Sequence, residues 1–257
     1  RPVRVSWLFH DPLDSAHPFK AVYYRPARGT ELEPGLRIRW PTAAERDYWL
    51  VWGIGRSRDG LVWEPPPNDG FLIRESPEAA RLHRAADGRL VLADQMASPT
   101  AKHPSRNVYG WTLLEDGSAA RLPDCLFQLP DALARLSARN GFLAALDGVR
   151  WVQPHLGLVP LRKGPTWLAL HGYLYLAGGI ETFAQTAEIG LSVSPDGYRF
   201  QELWPLRPFI GCGERGAFDD DVAAQCCLCE TPADTRFYYS GGSGNLGGSV
   251  QPGLAWI

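Results

Sequence analysis

"EIGLSVSPDGYRFQEL", residues 188–203, is the stretch whose reading decides the fold. Ile189, Leu191 and Val193 alternate with small or polar residues, the period of a strand that turns one face to a core. The run stops at Pro195-Asp196-Gly197, where glycine supplies the positive φ of a tight corner, and an aromatic, Phe200, follows three residues after the glycine. The stretch reads as one hairpin.

The layout recurs. Residues 57–63, "SRDGLVW", share it with residues 194–200, "SPDGYRF": Ser, one residue, Asp-Gly, two residues, an aromatic. Residues 145–151, "ALDGVRW", repeat it with Ala in place of Ser. The aspartates Asp59, Asp147 and Asp196 are separated by 147 − 59 = 88 and 196 − 147 = 49 residues. One propeller blade takes about 40–50 residues, so the second spacing is one blade and the first is close to two. Each strong copy follows an apolar run, so its expected place is the corner between the third and fourth strands of a blade. "LLEDGSAARL", around Asp116, is a weaker copy that fits the period badly. A chain of 257 residues divided by about 50 per blade gives about five blades in one domain, residues 1–257.

Composition agrees with an all-β chain. There are 27 Gly and 22 Pro, aromatics make up 11%, and the apolar runs are short. "SWLF", "KAVYY", "DYWLVWGI", "RLVLA", "NVYGWTLL", "WLALHGYLYLAGG", "EIGLSVS", "RFYYSGG" and "PGLAWI" all read as strands between Gly, Pro, Asp or Asn. Helical periodicity stands out only in "PDALARLSARNG", residues 130–141, with Leu133 and Leu136 three apart and Gly141 as a stop. With 45% hydrophobic and 21% charged residues the chain can fill a core, which argues against disorder. The net charge of −2 supplies no basic field for nucleic acid, and no apolar run is long enough to span a membrane.

The first and last parts of the chain resemble known proteins. "VSWLFHDPLDSAHPFKAVYY", followed by "WGIGRSRDGLVWE", resembles the first blade of five-bladed propellers related to glycoside hydrolases. These are the fructosidase/invertase and arabinanase-like enzymes and their uncharacterised relatives. "EIGLSVSPDGYRFQEL", then "RPFIGCGERGAFDDDVAAQ", "TRFYYSGGSG" and "GLAWI", is similar to their closing portion. Residues 1–64 and 172–257 carry the resemblance.

The resemblance implies a central funnel lined by the innermost strand of each blade, with carboxylates acting on a glycoside. Hydrolysis there needs a proton for the leaving oxygen and an attacking group at the anomeric carbon. Asp11, in "FHDP", takes the base or nucleophile position, and Asp219, in "GAFDDD", matches a second carboxylate facing the pocket. Glu181, in "LAGGIETF", is the candidate general acid, and Asp94, in "VLADQM", is the candidate from blade two. His10, His155, Trp7 and Arg106 are the expected substrate-binding residues, with Val5, Trp7 and Phe9 on one face of the first strand. Replacing Asp11 by Asn is expected to lower turnover and leave folding nearly unchanged. No cofactor is required, and the two histidines leave room for a metal ion at the axis.

The local residues also admit plain structural roles. Asp11 before Pro12 is a natural turn cap, and the acidic run around Asp220 and Asp221 reads equally well as a cap or a solvated surface. Neither His-x-x-x-His nor His-Glu-x-x-His occurs, and the cluster Cys226, Cys227 and Cys229 has no second C-x-x-C to complete the paired spacing of a zinc site. Reduced cysteines and a cytoplasmic location are the expectation, with a removed leader left open. Three classes of function remain open to such a sequence. They are a glycosidase, a propeller repurposed as a cyclase, isomerase or lyase of biosynthesis, and a non-catalytic sugar-binding module.

Overall fold

The computed structural model describes residues 4–26, 50–65, 71–72, 80–97, 106–115, 118–129, 149–177, 185–205, 207–243 and 250–256. Among them every regular element is a strand, as the composition predicts; the helix expected over residues 130–141 lies outside the described residues. Contacts divide the chain into two compact units. One is Arg1–Met96 with Tyr109–Asp124, and the other is Ala97–Val108 with Cys125–Ile257.

In the first unit, β1 (Arg4–His10), β2 (Phe19–Pro26), β3 (Leu50–Ser57) and β4 (Phe71–Leu72) form a sheet in that order. A second sheet orders β5 (Arg81–Arg84), β6 (Leu90–Ala97), β7 (Arg106–Leu113) and β8 (Ala119–Arg121), β7 beginning in the other unit. The remaining strands are β9 (Val149–Lys163), β10 (Thr166–Ala177), β11 (Gln185–Ser194), β12 (Gln201–Glu202), β13 (Val222–Glu230), β14 (Thr235–Gly242) and β15 (Val250–Trp256). They form one sheet in the order β15-β14-β13-β11-β10-β9, with β12 on β11. The link between β11 and β13 is a single parallel pair, Ala187 with Val222. Antiparallel neighbours joined by short corners are what strands with Asp-Gly punctuation produce.

The opening hairpin forms as read. Ser194 Oγ donates to Asp196 Oδ1 and accepts from the Gly197 amide, while Asp196 Oδ1 accepts from the amides of Tyr198 and Arg199. The corner at residues 57–62 repeats this network atom for atom: Ser57 with Asp59 and the Gly60 amide, Asp59 with the amides of Leu61 and Val62. Gly60 and Gly197 have φ of 77° and 81°, which explains why glycine stands at both. Both corners follow the third strand of their sheets, β3 and β11.

The third strong copy behaves differently. Asp147 and Gly148 lie outside the described residues, and Val149, Arg150 and Trp151 open β9, a 15-residue strand paired with β10. The weaker copy, Asp116 and Gly117, also lies outside the described residues; its flanks link β7 to β8, the Leu114 amide donating to Ser118 O at 2.9 Å. Of the two residues that give the 49-residue spacing, Asp196 is described and Asp147 is not.

On β1 the strict alternation expected from the sequence does not hold. The register slips between Val5 and Trp7, a bulge that shifts the alternation by one. Trp7 and Phe9 pack on the cluster of Val22, Trp52, Ile54, Ala80, Leu82, Leu92 and Trp111, whereas Val5 and Leu8 are exposed. Val5 does not share the inward face.

On β10, His171, Tyr173 and Tyr175 form a buried row, with His171 and Tyr173 edge to face at 4.8 Å. Gly190 of β11 sits beneath them, and a Cβ there would run into His171 Nε2 and the Tyr173 ring. Gly190→Ala should therefore lower stability by about 1–3 kcal/mol through overpacking, read as a lower urea midpoint at unchanged slope.

Candidate functional site

Asp11 follows the last residue of β1 directly, its amide donating to Pro18 O at 2.6 Å. Pro12 cannot extend the ladder, so the strand ends there and the chain enters a turn. The Asp11 side chain is wholly buried. Arg84, the last residue of β5, grips it with both arms: Nε to Oδ1 and Nη2 to Oδ2, each 2.6 Å. Lys20 Nζ of β2 lies 3.0 Å from Oδ2, and the Leu13 amide reaches Oδ1 at 3.3 Å. Each oxygen thus has two donors, which fills the capacity of a carboxylate.

Burial alone would raise the Asp11 pKa. The hydrogen bonds and charges of Arg84 and Lys20 outweigh it and hold the group below the usual carboxylate range. Lys20 is equally buried and is shared with Asp14 Oδ2 at 2.8 Å and His17 O at 2.9 Å. The Lys20 hydrogen bond is the main cause that brings the Asp14 pKa down to about 2. Two cations meet two anions here, so the buried cluster is neutral.

Of the other expected residues in this unit, Trp7 lies on β1 with the Arg81 guanidinium 4.7 Å from its ring centre. Its buried Nε1 meets no acceptor among the described residues. His10 is exposed, its ring 5.1 Å from that of Phe19. Asp94 is fully buried on β6, next to Ala93, the register partner of Arg81 on β5.

In the second unit, Asp219 is buried just before β13, and its Oδ2 accepts the Tyr239 hydroxyl at 2.7 Å. Burial and that carboxylate push the tyrosine pKa up to about 12. Asp220 caps a turn, its Oδ2 accepting the Gly216 amide at 2.8 Å, which is the plainer of the two roles read for it. Glu181 lies outside the described residues. His155 is placed on β9 opposite Gly172, and Arg106 opens β7.

The sequence reading missed Glu188, the first residue of the opening stretch. It is 1% exposed on β11, and its Oε2 accepts the Tyr175 hydroxyl at 2.7 Å. The available signal was a lone carboxylate inside a run with strand period, four residues before the buried Ser192. Cys212 lies in the same surroundings. Burial, then the charges of Glu188, Asp219 and Asp221, push its thiol up to about 12. Cys125, Cys212, Cys227 and Cys229 are not disulfide-bonded, and no group of three or more metal-ligating side chains is found among the described residues. Iodoacetamide at pH 8 should therefore label the exposed Cys227 and Cys229 about a hundredfold or more faster than Cys212, as peptide mass mapping would show. Early labelling of Cys212 would refute the raised pKa.

Comparison with solved structures gives the fold. The chain is similar to a thermostable family-43 glycoside hydrolase, with TM-score 0.58 and 11% identity over 93% of this chain and 67% of that one. An exo-1,5-α-L-arabinanase from a bovine ruminal metagenomic library gives TM-score 0.54 and 10% identity over 93% and 69%. A GH32 β-fructofuranosidase from Bombyx mori gives TM-score 0.52 and 15% identity over 98% and 46%. The fold is the five-bladed propeller of these hydrolases. The chain spans 62% of another glycoside hydrolase that it matches. No family model matches the sequence, and no curated protein does. Among the described residues, no helix is long and apolar enough to cross a membrane.

Proposed function

We propose that residues 1–257 form one propeller enzyme of the glycoside hydrolase type, acting on a glycoside or another small polar molecule with buried carboxylates as acid and base. The observation that carries this reading is Asp11. It is buried at the end of β1 and held ionised, the state a nucleophile or general base needs before substrate arrives. Its acceptor positions are filled at rest, so one donor has to yield to water or substrate. The Leu13 amide at 3.3 Å is the longest of the four contacts and the first to open. Asp219 is the second carboxylate of the proposed set, and Glu181 keeps the acid role that the resemblance implies. Trp7, with an indole donor available, is the proposed ligand contact on β1.

The structural neighbours set the test panel: aryl α-L-arabinofuranosides and β-D-xylosides, together with sucrose. Wild type should turn over at least one, and Asp11→Asn should lower kcat by about a hundredfold or more. No turnover on the panel, or an Asn variant at full rate, would overturn the reading.

A second reading rests on the same four contacts. If none opens, the propeller binds a sugar without cleaving it. Calorimetry with arabinose, xylose and fructose would then show binding by wild type in the absence of any turnover.

A further inference from the structure

We propose that Arg84 is a positioning residue for Asp11, fixing the direction in which the carboxylate faces and keeping it ionised from a neighbouring sheet. The proposal rests on Asp11 acting as nucleophile or base.

The geometry is that of a clamp whose own orientation is set by backbone. Arg84 Nε and Nη2 take the two oxygens of Asp11, while Nη1 donates to the carbonyl of Gly88. That carbonyl belongs to the β5–β6 corner, which is closed by Ala85 N to Arg89 O at 2.9 Å and Gly88 N to Ala85 O at 3.0 Å. Gly88 has φ of 84°, a conformation that only glycine adopts without strain. The guanidinium plane is thereby fixed at three points before any ligand is present, and a bidentate pair transmits that plane to the carboxylate.

Lys20 differs in kind. Its ammonium is divided among Asp11, Asp14 and the His17 carbonyl, so it contributes charge without a plane. The groups that face Asp11 are therefore Arg84 from β5, Lys20 from β2 and the Leu13 amide from its own turn. Asp14 reaches it only through Lys20. The His17 ring is paired with Glu64 at 3.3 Å, and the His10 ring packs on Phe19. Nothing in the sequence signals the pair, because 73 residues separate its members.

The test uses the full chain as wild type, Arg84→Gln and Arg84→Lys, each checked for its β-sheet circular dichroism. The Asp11 carboxyl is titrated by carbon NMR with labelled aspartate, and kcat/KM is measured against pH on the panel glycoside that wild type cleaves. In Arg84→Gln the Asp11 midpoint should rise by about one unit or more. The acid limb of kcat/KM should move by the same amount, and kcat should fall about tenfold or more with KM little changed. Arg84→Lys should restore most of the midpoint but not kcat, since it returns the charge without the fork. An unmoved midpoint in Arg84→Gln overturns the proposal. A moved midpoint with an unmoved acid limb also overturns it, by showing that Arg84 holds a purely structural carboxylate. If Arg84→Gln does not fold, Arg84→Lys decides: a wild-type kcat refutes, and a reduced kcat at a near-normal midpoint supports. Wild type inactive on every glycoside would sink the reading of function instead, and the titration would still decide whether Arg84 governs Asp11.

Discussion

Asp11→Ala should cost the fold about 3–5 kcal/mol, enough to unfold a marginal domain. The reason is what the substitution leaves behind. Lys20 is 2% exposed and the Arg84 fork is directed at the missing carboxylate, so the fork loses the group it grips and buried Lys20 is left with Asp14 and the His17 carbonyl. The expectation from sequence, that an Asn at this position leaves folding nearly unchanged, does not survive this geometry. A pocket-lining group would have been free to change, but this one is wholly buried between two charges. Urea unfolding of Asp11→Asn, alone and combined with Lys20→Met, would measure the effect. The double variant should recover part of the loss, because it removes one of the two cations left facing the Asn amide. The pair also separates stability from chemistry: a refolded double variant that remains inactive keeps Asp11 in the reaction. Equal stability of wild type and Asp11→Ala would refute the ion-pair account. In wild type the sign with pH is fixed by the depressed folded pKa. The stabilisation is present above the unfolded value near 3.8 and is lost as pH falls through the lower folded value.

The second large effect comes from His171 and begins at a much higher pH. Its ring is 1% exposed, packed against Phe127 at 4.4 Å and Tyr173 at 4.8 Å, with Nδ1 paired to Ser192 Oγ. Nε2 meets no partner among the described residues, so protonation would place an unsolvated charge in the core. Burial brings the pKa down from 6.5 to about 3. The unfolded chain therefore binds a proton that the native ring refuses. The neutral-ring contribution is complete above pH 6.5 and is lost progressively as pH falls toward 3, at most about 4–5 kcal/mol over the window. Melting temperature followed from pH 7 to pH 4 should drop in wild type and drop distinctly less in His171→Asn. Parallel curves for the two proteins would show that another group titrates there. Asp11 cannot account for a loss in that window, because its own begins near pH 3.8.

These two residues show how much of the molecule lay in the sequence. Local chemistry was enough for the hairpins. Ser-x-Asp-Gly sets its own hydrogen bonds within four residues, so the corners at Ser57 and Ser194 form alike wherever the strands around them go. Strand period and composition were enough for an all-β chain. What local chemistry does not carry is which corner belongs to which sheet. Asp59 and Asp196 each follow the third strand of a sheet, whereas the residues after Asp147 open β9, which pairs with β10, because strand partners are chosen by the faces they bury and not by turn residues.

The same limit governed β11. Ile189, Leu191 and Val193 read as its inward face, but Leu191 and Val193 are only partly buried, whereas Glu188, Gly190, Ser192 and Ser194 on the other face are buried throughout. Period gave the strand. The aromatic row on β10 decided which face needed small and polar residues, since Gly190 leaves room for two rings and Glu188 takes the Tyr175 hydroxyl. Asp11 followed the same division. Pro12 and the end of the alternating run located it in the sequence as the last residue before a turn. Its charge state, its burial and its use as an anchor depended on Arg84, a residue 73 positions away that only the packing of β5 beside β1 could deliver.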